Sequence, residues 1–449
     1  MVTITHALRQ VKDGLGTSMA GEAIRQVFVE AGHVWRNRLF DPVLTVRLFL
    51  LQILFGNVAC TALRHWGDEA FTASAYCQAR ERLPLDGLKR LVARVTSRLH
   101  EAAENVDRWY GHRVFHIDGT SFSMPDEPAL QAHFGQPGRQ KKGCGYPVAH
   151  LLALCHAGSG MILDVIASPL RTHDMAGASR LHSMLKPGDI LIGDRAFCSY
   201  AHLALVLLGN LHAVFRMHQR QIVDFRRGRR HRKQYAKGQR QGRPTSAYVR
   251  SLGRWDQVVR WFKPPSRPSW MTAKQYDALP ESIEVRELRY TVRRPGFRPV
   301  TVTLATTLYD PERYSVEALA ELYPHRWQIE LNFRHLKQTL GMDTLRCKSV
   351  SGVLKEMWMF VLVYNLVRLV MLKAAERQAV PPDRISFVDA LRWLCHARPR
   401  ETLRELIVNP RRPNRIEPRA VKRRPKEYKR LTVSRSEARK RLKNQQHAA

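Results

Sequence analysis

The chain has 449 residues and is 44% hydrophobic, which gives room for a sizeable core in two or three domains and excludes a wholly disordered protein. Its 74 Lys and Arg outnumber 39 Asp and Glu to leave +35, an excess that points to a polyanion, most simply nucleic acid, although ribosomal and membrane-surface proteins share it. The seven cysteines form no CxxC pair, so no zinc or disulfide framework is visible. A reducing cytoplasm fits them, and the opening MVTITHALRQVKDG lacks the apolar run of a signal peptide.

Residues 1–105 read as a helical N-terminal domain, with apolar spacing that predicts helices over 22–36, 43–55 and 87–103. Between the last two, Gly67 breaks one short helix, and Thr72 or Ser74 caps the next so as to expose Gln78, Arg80 and Arg82. That pattern resembles a helix-turn-helix that reads a major groove, although small helical bundles produce it too.

At Arg113, within a domain taken to start at 106, the texture changes to α/β. RVFHID (113–118) reads as a strand ending at Asp118, followed by Gly119 and a polar loop and then by a Gly/Lys/Gln-rich loop, QPGRQKKGCG. Two strand-like runs, YPVAHLLALCHA and MILDVIASP, are separated by Gly158-Ser159-Gly160, a hairpin signal. A helix over 173–185, a strand over 189–193 ending at Asp194, a helix over 199–208 and a strand over 211–217 complete the first part of a mixed sheet, 106–217. Polar side chains at strand ends are where sites of α/β sheets sit, though a lone Asp is more often a turn residue or helix cap.

Residues 218–298 read as a basic, β-rich insertion. Within 216–250 twelve Lys or Arg face one acid, Asp224, so the segment is an arm for a phosphate backbone or a solvated loop, with Tyr235 and Tyr248 available to stack on bases. TVTLATTLYD (301–310) resumes the parent fold, whose second part spans 299–376. The apolar run 357–372 is short and carries Asn365 and Arg368, which predicts a buried helix rather than a membrane span. The basic C-terminal region, 377–449, is expected to be disordered over 411–443 until bound.

The stretch 322–340, LYPHRWQIELNFRHLKQTL, organises the rest. On a helix turning 100° per residue, Tyr323, Arg326, Glu330, Arg334 and Lys337 share one face, and Pro324 predicts a break near 323. By itself Glu330–Arg334 is an ordinary surface ion pair. If Asp118 and Asp194 converge on Glu330, however, three carboxylates can hold two Mg²⁺ ions for phosphodiester chemistry, with Arg326, Arg334 and Lys337 on the phosphates.

The residues Tyr323-x2-Arg326-x3-Glu330-x6-Lys337 match the YREK signature of the DDE transposases of the insertion-sequence-four type. HIDGTSF around Asp118 and IGDRAFCSY around Asp194 resemble that family's two aspartate motifs, with DRAF in place of the commoner DRE-type sequence. The likeness runs over about 50–375. It implies an RNase H-like catalytic domain with a β-rich insertion, a metal-binding catalytic triad of Asp118, Asp194 and Glu330, and contacts to DNA from Tyr323, Arg326 and Lys337. It further implies Mg²⁺, with Mn²⁺ substituting, and a homodimer on paired double-stranded transposon ends in the bacterial cytoplasm, cleaving 3′-ends and joining them to target DNA. In some members an insertion tryptophan stacks on a flipped base, for which Trp255, Trp261 and Trp270 are available. The alternatives are a catalytically inactive or domesticated DNA-binding relative and, on charge alone, a structural RNA-binding protein.

Overall fold

Nine strands form one sheet in the computed structural model, which describes residues 20–446 except 37, 66–69, 104–107, 139, 171, 173, 232–242, 294–297, 397–401 and 411–430. The strand β1 (Val114–Ser123) lies inside it. β1 pairs antiparallel with β2 (Val148–His156), from Phe115↔His156 to Ser123↔Val148, and β2 turns back into β3 (Ile162–Pro169). The turn needs Gly160, whose φ is +68 and whose missing Cβ would collide with the Arg368 guanidinium. On its other side β1 pairs parallel with β4 (Ile190–Gly193), and β4 with β5 (His212–Arg216). A buried bond from Arg113 Nε to Asp189 Oδ1, 2.7 Å, ties the starts of β1 and β4 together.

The resulting order β3-β2-β1-β4-β5, an antiparallel meander followed by two strands parallel to β1, is the RNase H-like sheet that the resemblance implied. Beyond β5 the sheet continues antiparallel through β9 (Val300–Thr306), β8 (Ser282–Val292), β7 (Asp256–Phe262) and β6 (Ala247–Gly253). The insertion strands therefore extend the central sheet rather than building a separate one. Inside the insertion, Glu287 is fully buried and its carboxylate accepts from Trp261 Nε1 (3.0 Å) and Gln257 Nε2 (2.9 Å). Arg229 donates to Ser246 O and Asp224 O, so part of the basic block is structural, while Tyr235 lies outside the described residues.

The face of β1 and β2 that carries Phe122, Ala149, Leu151 and Ala153 packs against one long helix, α11 (Val350–Gln378); the intervening helices are α5 (Pro128–Phe134), α6 (Asp174–Leu181), α7 (Tyr200–Leu208), α8 (Ala273–Asp277), α9 (Val316–Leu322) and α10 (Trp327–Arg334). α11 is long and apolar enough to cross a membrane, but 94% of its most apolar window is buried inside the protein. Arg368, within that helix, is buried and satisfied. It donates to Asn332 Oδ1 (2.5 Å), Gly160 O (3.2 Å) and the Tyr364 hydroxyl (3.0 Å), joining α10, the β2–β3 turn and α11.

The same core takes in the N-terminal helices α1 (Gly21–Glu30), α2 (Pro42–Leu54) and α4 (Leu85–Ala103), through Phe28, Phe49, Ile53 and Leu91, while α3 (Ala73–Arg82) buries Tyr76 in a smaller cluster with Leu48 and Leu63. α1 ends at Glu30, earlier than the expected 36, because Gly32 turns to a φ of +70. Thr72 caps α3, its side chain accepting from Ala75 N as expected. Arg80 is not exposed for a groove. Its guanidinium donates to Gln52 Oε1 (2.7 Å) and Cys347 Sγ (2.7 Å) and stacks over Phe49, which pins α3 to α2 and to the segment just ahead of α11 and leaves Gln78 and Arg82 outside.

The C-terminal region, expected to be helical or disordered, forms a helix over Phe387–His396 (α12). Residues 411–430 lie outside the described residues, and Arg435–Gln446 (α13) is a helix that begins within the stretch expected to be disordered.

Candidate active site

β4 is short. Its last pairing with β1 is His116↔Ile192, and continuing that register sets Gly193 beside Ile117 and Asp194 level with Asp118. An added Cβ on Gly193 would lie 3.2 Å from Ile117 Cγ2, in keeping with that neighbour. The first aspartate is therefore not at a strand end, as the sequence suggested. β1 runs on to Ser123, and Asp118 lies where β1 outlives its neighbour β4. Gly119, expected just past the end of the strand, is a strand residue. A Cβ there would stand 2.5 Å from His150 Cε1, so the missing side chain makes room for the contacting pair His150–Asp174 on the opposite face.

Asp118 shares the face of His116 and Phe122, towards α10. The chain reaches α10 through α9 and then a 3₁₀ turn, Tyr323–Arg326, so the break expected from Pro324 is present. A π turn over His335–Thr339 follows α10. Two carboxylates meet at one guanidinium: Arg326 Nη1 donates to Asp118 Oδ2 at 2.9 Å, and Nη2 is 3.5 Å from Glu330 Oε1. Asp194 Oδ1 accepts from Ala196 N at 2.7 Å, which holds the turn after β4.

Burial pushes the Asp118 carboxyl up to about 6, helped by the charges of Asp194 and Glu330 and opposed by the Gly119 N–H and Arg326. Burial likewise raises the Tyr323 phenol to about 12, against the pull of Arg326 and Arg216. Tyr323, Arg326 and Glu330 are thus brought to the two aspartates. Lys337 and Arg334 are not. Lys337 pairs with Asp343 (3.1 Å), whose carbonyl accepts from Ser123 N at the far end of β1. Arg334 is exposed and lines a cavity with the Gly158–Gly160 turn and Arg368. For Lys337 the physical reason is local: the π turn after α10 does not advance by 100° per residue, so a uniform helical wheel fails beyond Arg334.

Three residues at the site were not legible as site residues in the sequence. Trp327 is 57% exposed with the Arg326 guanidinium 4.9 Å from its ring centroid, and its place directly after Arg326 was the available signal. Arg216 ends β5 and acts on the Tyr323 phenol, but in sequence it merged into the basic block. His116 is buried with Nε2 unpartnered, and burial holds it neutral, down at about 3. An alternating strand gives no sign of that.

As placed, no three His, Cys, Asp or Glu among the described residues stand close enough to share one ion. The donor set nevertheless suits one. Asp118 and Glu330 already hold a cation, the Arg326 guanidinium, and Asp194 adds a further negative charge. A hard, all-oxygen set of this kind fits Mg²⁺. Of the insertion tryptophans, Trp261 is in the core and Trp270 packs against it, whereas Trp255 is 46% exposed at the β6–β7 turn, edge-on to Phe225 with Arg289 over both rings.

Residues 109–366 match the family model described as "Transposase DDE domain". The chain is 26% identical over 382 residues to "Transposase InsG for insertion sequence element IS4" of Escherichia coli (strain K12), covering 81% of this chain and 79% of that protein. It is 31% identical over 139 residues to "Putative transposase InsZ" of the same organism, covering 30% of this chain and 45% of that one. Among solved structures, the piggyBac transposase synaptic complex with hairpin DNA superposes at a TM-score of 0.43 with 9% identity, over 87% of this chain and 78% of that one.

Proposed function

Because the chain belongs to the transposase DDE domain family, we propose that it is the transposase of an insertion sequence, binding the terminal inverted repeats, cutting the phosphodiester at their 3′-ends and joining those ends to target duplex. The observation that carries the reading is the Arg326 bridge, which assembles Asp118 and Glu330 from distant parts of the chain around one cation, with Asp194 beside them.

In this reading Asp118, Asp194 and Glu330 hold Mg²⁺, or Mn²⁺ in its place, through carboxylate oxygens. Divalent ions held there would supply activation of an attacking water or 3′-hydroxyl and stabilisation of the leaving oxygen. Arg326 keeps the like-charged carboxylates together, and its Nε–H, buried without a partner, is a donor left over for a phosphate oxygen. Tyr323, a neutral phenol at working pH, keeps its O–H to donate to a phosphate oxygen. Lys337 and Arg334 contact phosphates further along the duplex, and exposed Trp255 is the insertion aromatic placed to stack on an unpaired base. Two copies act on paired ends, on the DNA of a bacterial cytoplasm.

The test uses the DNA flanking the gene as a labelled substrate, with Mg²⁺, Mn²⁺ or EDTA, alongside Asp194→Ala. Metal-dependent cleavage at the repeat boundary, lost in the variant, is the expected result. Tight binding without cleavage in any metal would replace this reading with that of an inactive relative.

A further inference from the structure

The C-terminal helix α13 carries Arg439, Lys440, Arg441 and Lys443 on exposed positions against one acid, Glu437, which pairs with Arg441. It has no apolar face: Ala438 and Leu442 are its hydrophobic residues, and Leu442 is 61% exposed. A helix that is polar all round has no core to join and no membrane to lie in.

Yet its first turn has a fitted seat on the loop between α5 and β2. Arg435 N donates to Gly143 O at 3.1 Å, and Cys144 Sγ donates to Val433 O at 3.0 Å. Gly143 has a φ of +79, and a Cβ there would lie 2.8 Å from Ser434 Cβ, so the seat requires the glycine twice over. The Arg435 guanidinium lies 3.8 Å from the Tyr146 ring centroid and 3.6 Å from Asp126 Oδ2, with its side chain only 16% exposed. Ser434 Oγ caps the helix by accepting from Glu437 N.

The same loop carries Lys141 and Lys142, both exposed. It follows the end of β1, where Lys337 and, through its ion pair with Glu127, Lys348 also sit.

We propose that α13 is a second duplex-DNA contact, clipped to the catalytic unit by Arg435 so that the helix and Lys141–Lys142 form one phosphate-binding edge. The inference rests on the DNA reading above and adds a surface outside the carboxylate cluster. Cations without an apolar anchor suit a duplex backbone rather than a protein partner, because phosphate neutralisation needs charge alone whereas protein interfaces need buried anchors. The basic helix is about 18 Å long, the axial length of roughly ten phosphates over about five base pairs.

The experiment uses the full chain in EDTA, where cleavage plays no part, with a short duplex of arbitrary sequence titrated at several salt concentrations. Wild type is compared with Arg439→Glu/Lys440→Glu/Lys443→Glu and with Arg435→Ala, and Cys144 alkylation is read by mass spectrometry. The charge reversal is expected to weaken binding and flatten the slope of log K against log salt by about 0.9 for each phosphate no longer neutralised. Arg435→Ala is expected to speed Cys144 alkylation several-fold by lifting the arm. Equal affinity and slope in the charge reversal, or equal Cys144 reactivity in Arg435→Ala, would overturn the proposal. A wild type that fails to bind any duplex would instead bring down the DNA reading itself.

Discussion

Arg326 donates to Asp118 Oδ2 at 2.9 Å while its other amino group lies 3.5 Å from Glu330 Oε1. One guanidinium thus links a carboxylate in the middle of β1 to one on α10. Arg326 works against burial, which raises the Asp118 carboxyl to about 6. In Arg326→Gln that opposition is gone, so Asp118 titrates at higher pH still. The acidic limb of the cleavage–pH profile is expected to move upward, with a rate at neutral pH lower by roughly 10²-fold or more. An unmoved limb in the variant would show that Asp118 does not govern it.

Asp118 should also limit stability. Its folded pKa lies above the ordinary 3.8, so between about pH 4 and 6 the folded state holds a proton that the unfolded state has released. Stability from this group is present below that window and is lost as pH rises through it. In EDTA at pH 8, Asp118→Asn is therefore expected to be more stable than wild type by about 1–3 kcal/mol, and with Mg²⁺ supplied it is expected not to cleave. Urea denaturation at pH 8 and at pH 4 checks this, the difference closing at the lower pH.

The insertion tryptophans should separate by burial. Trp261→Ala opens the core and removes the Trp261 Nε1 bond to buried Glu287, at a cost of about 3–5 kcal/mol. Trp255→Ala removes an exposed ring and should leave the denaturation midpoint almost unchanged while slowing end cleavage. Equal cleavage by Trp255→Ala and wild type would remove Trp255 from the DNA-binding surface.

Arg368→Met tests the joint behind α10. It removes the donor to Asn332 Oδ1, Gly160 O and the Tyr364 hydroxyl, and leaves buried acceptors unpaired. A loss of about 2–4 kcal/mol is expected, with slower cleavage because Glu330 stands on the same helix as Asn332. A denaturation midpoint equal to wild type would show that water replaces the guanidinium without cost.

Much of the fold was legible because it is written in local pattern. The runs that became β2, β3, β4 and β5 are apolar and bounded by glycines or polar turns, so their order along the chain could be read directly. Pro324 announced the break at Tyr323 for a covalent reason. Gly119 misled, because a strand can require a glycine as readily as a turn can. Here the reason is the His150–Asp174 pair across the sheet, not a turn. Arg80 misled in the same way: its helix and cap were visible, but not Gln52 and Cys347, which take its guanidinium inward.

By itself the sequence determined the residue types and spacings: two aspartates in their contexts, a glutamate with Tyr323 and Arg326 at fixed offsets, and a charge suited to phosphate. These are properties of the covalent chain, and they survive any folding. Only the tertiary structure decided which of those residues meet. The short β4 leaves Asp118 uncovered at the level of Asp194, and the 3₁₀ turn brings Arg326 between Asp118 and Glu330. The π turn after α10 carries Lys337 away to Asp343. Pairing register and turn pitch depend on packing between segments far apart in the chain, and no local pattern carries them.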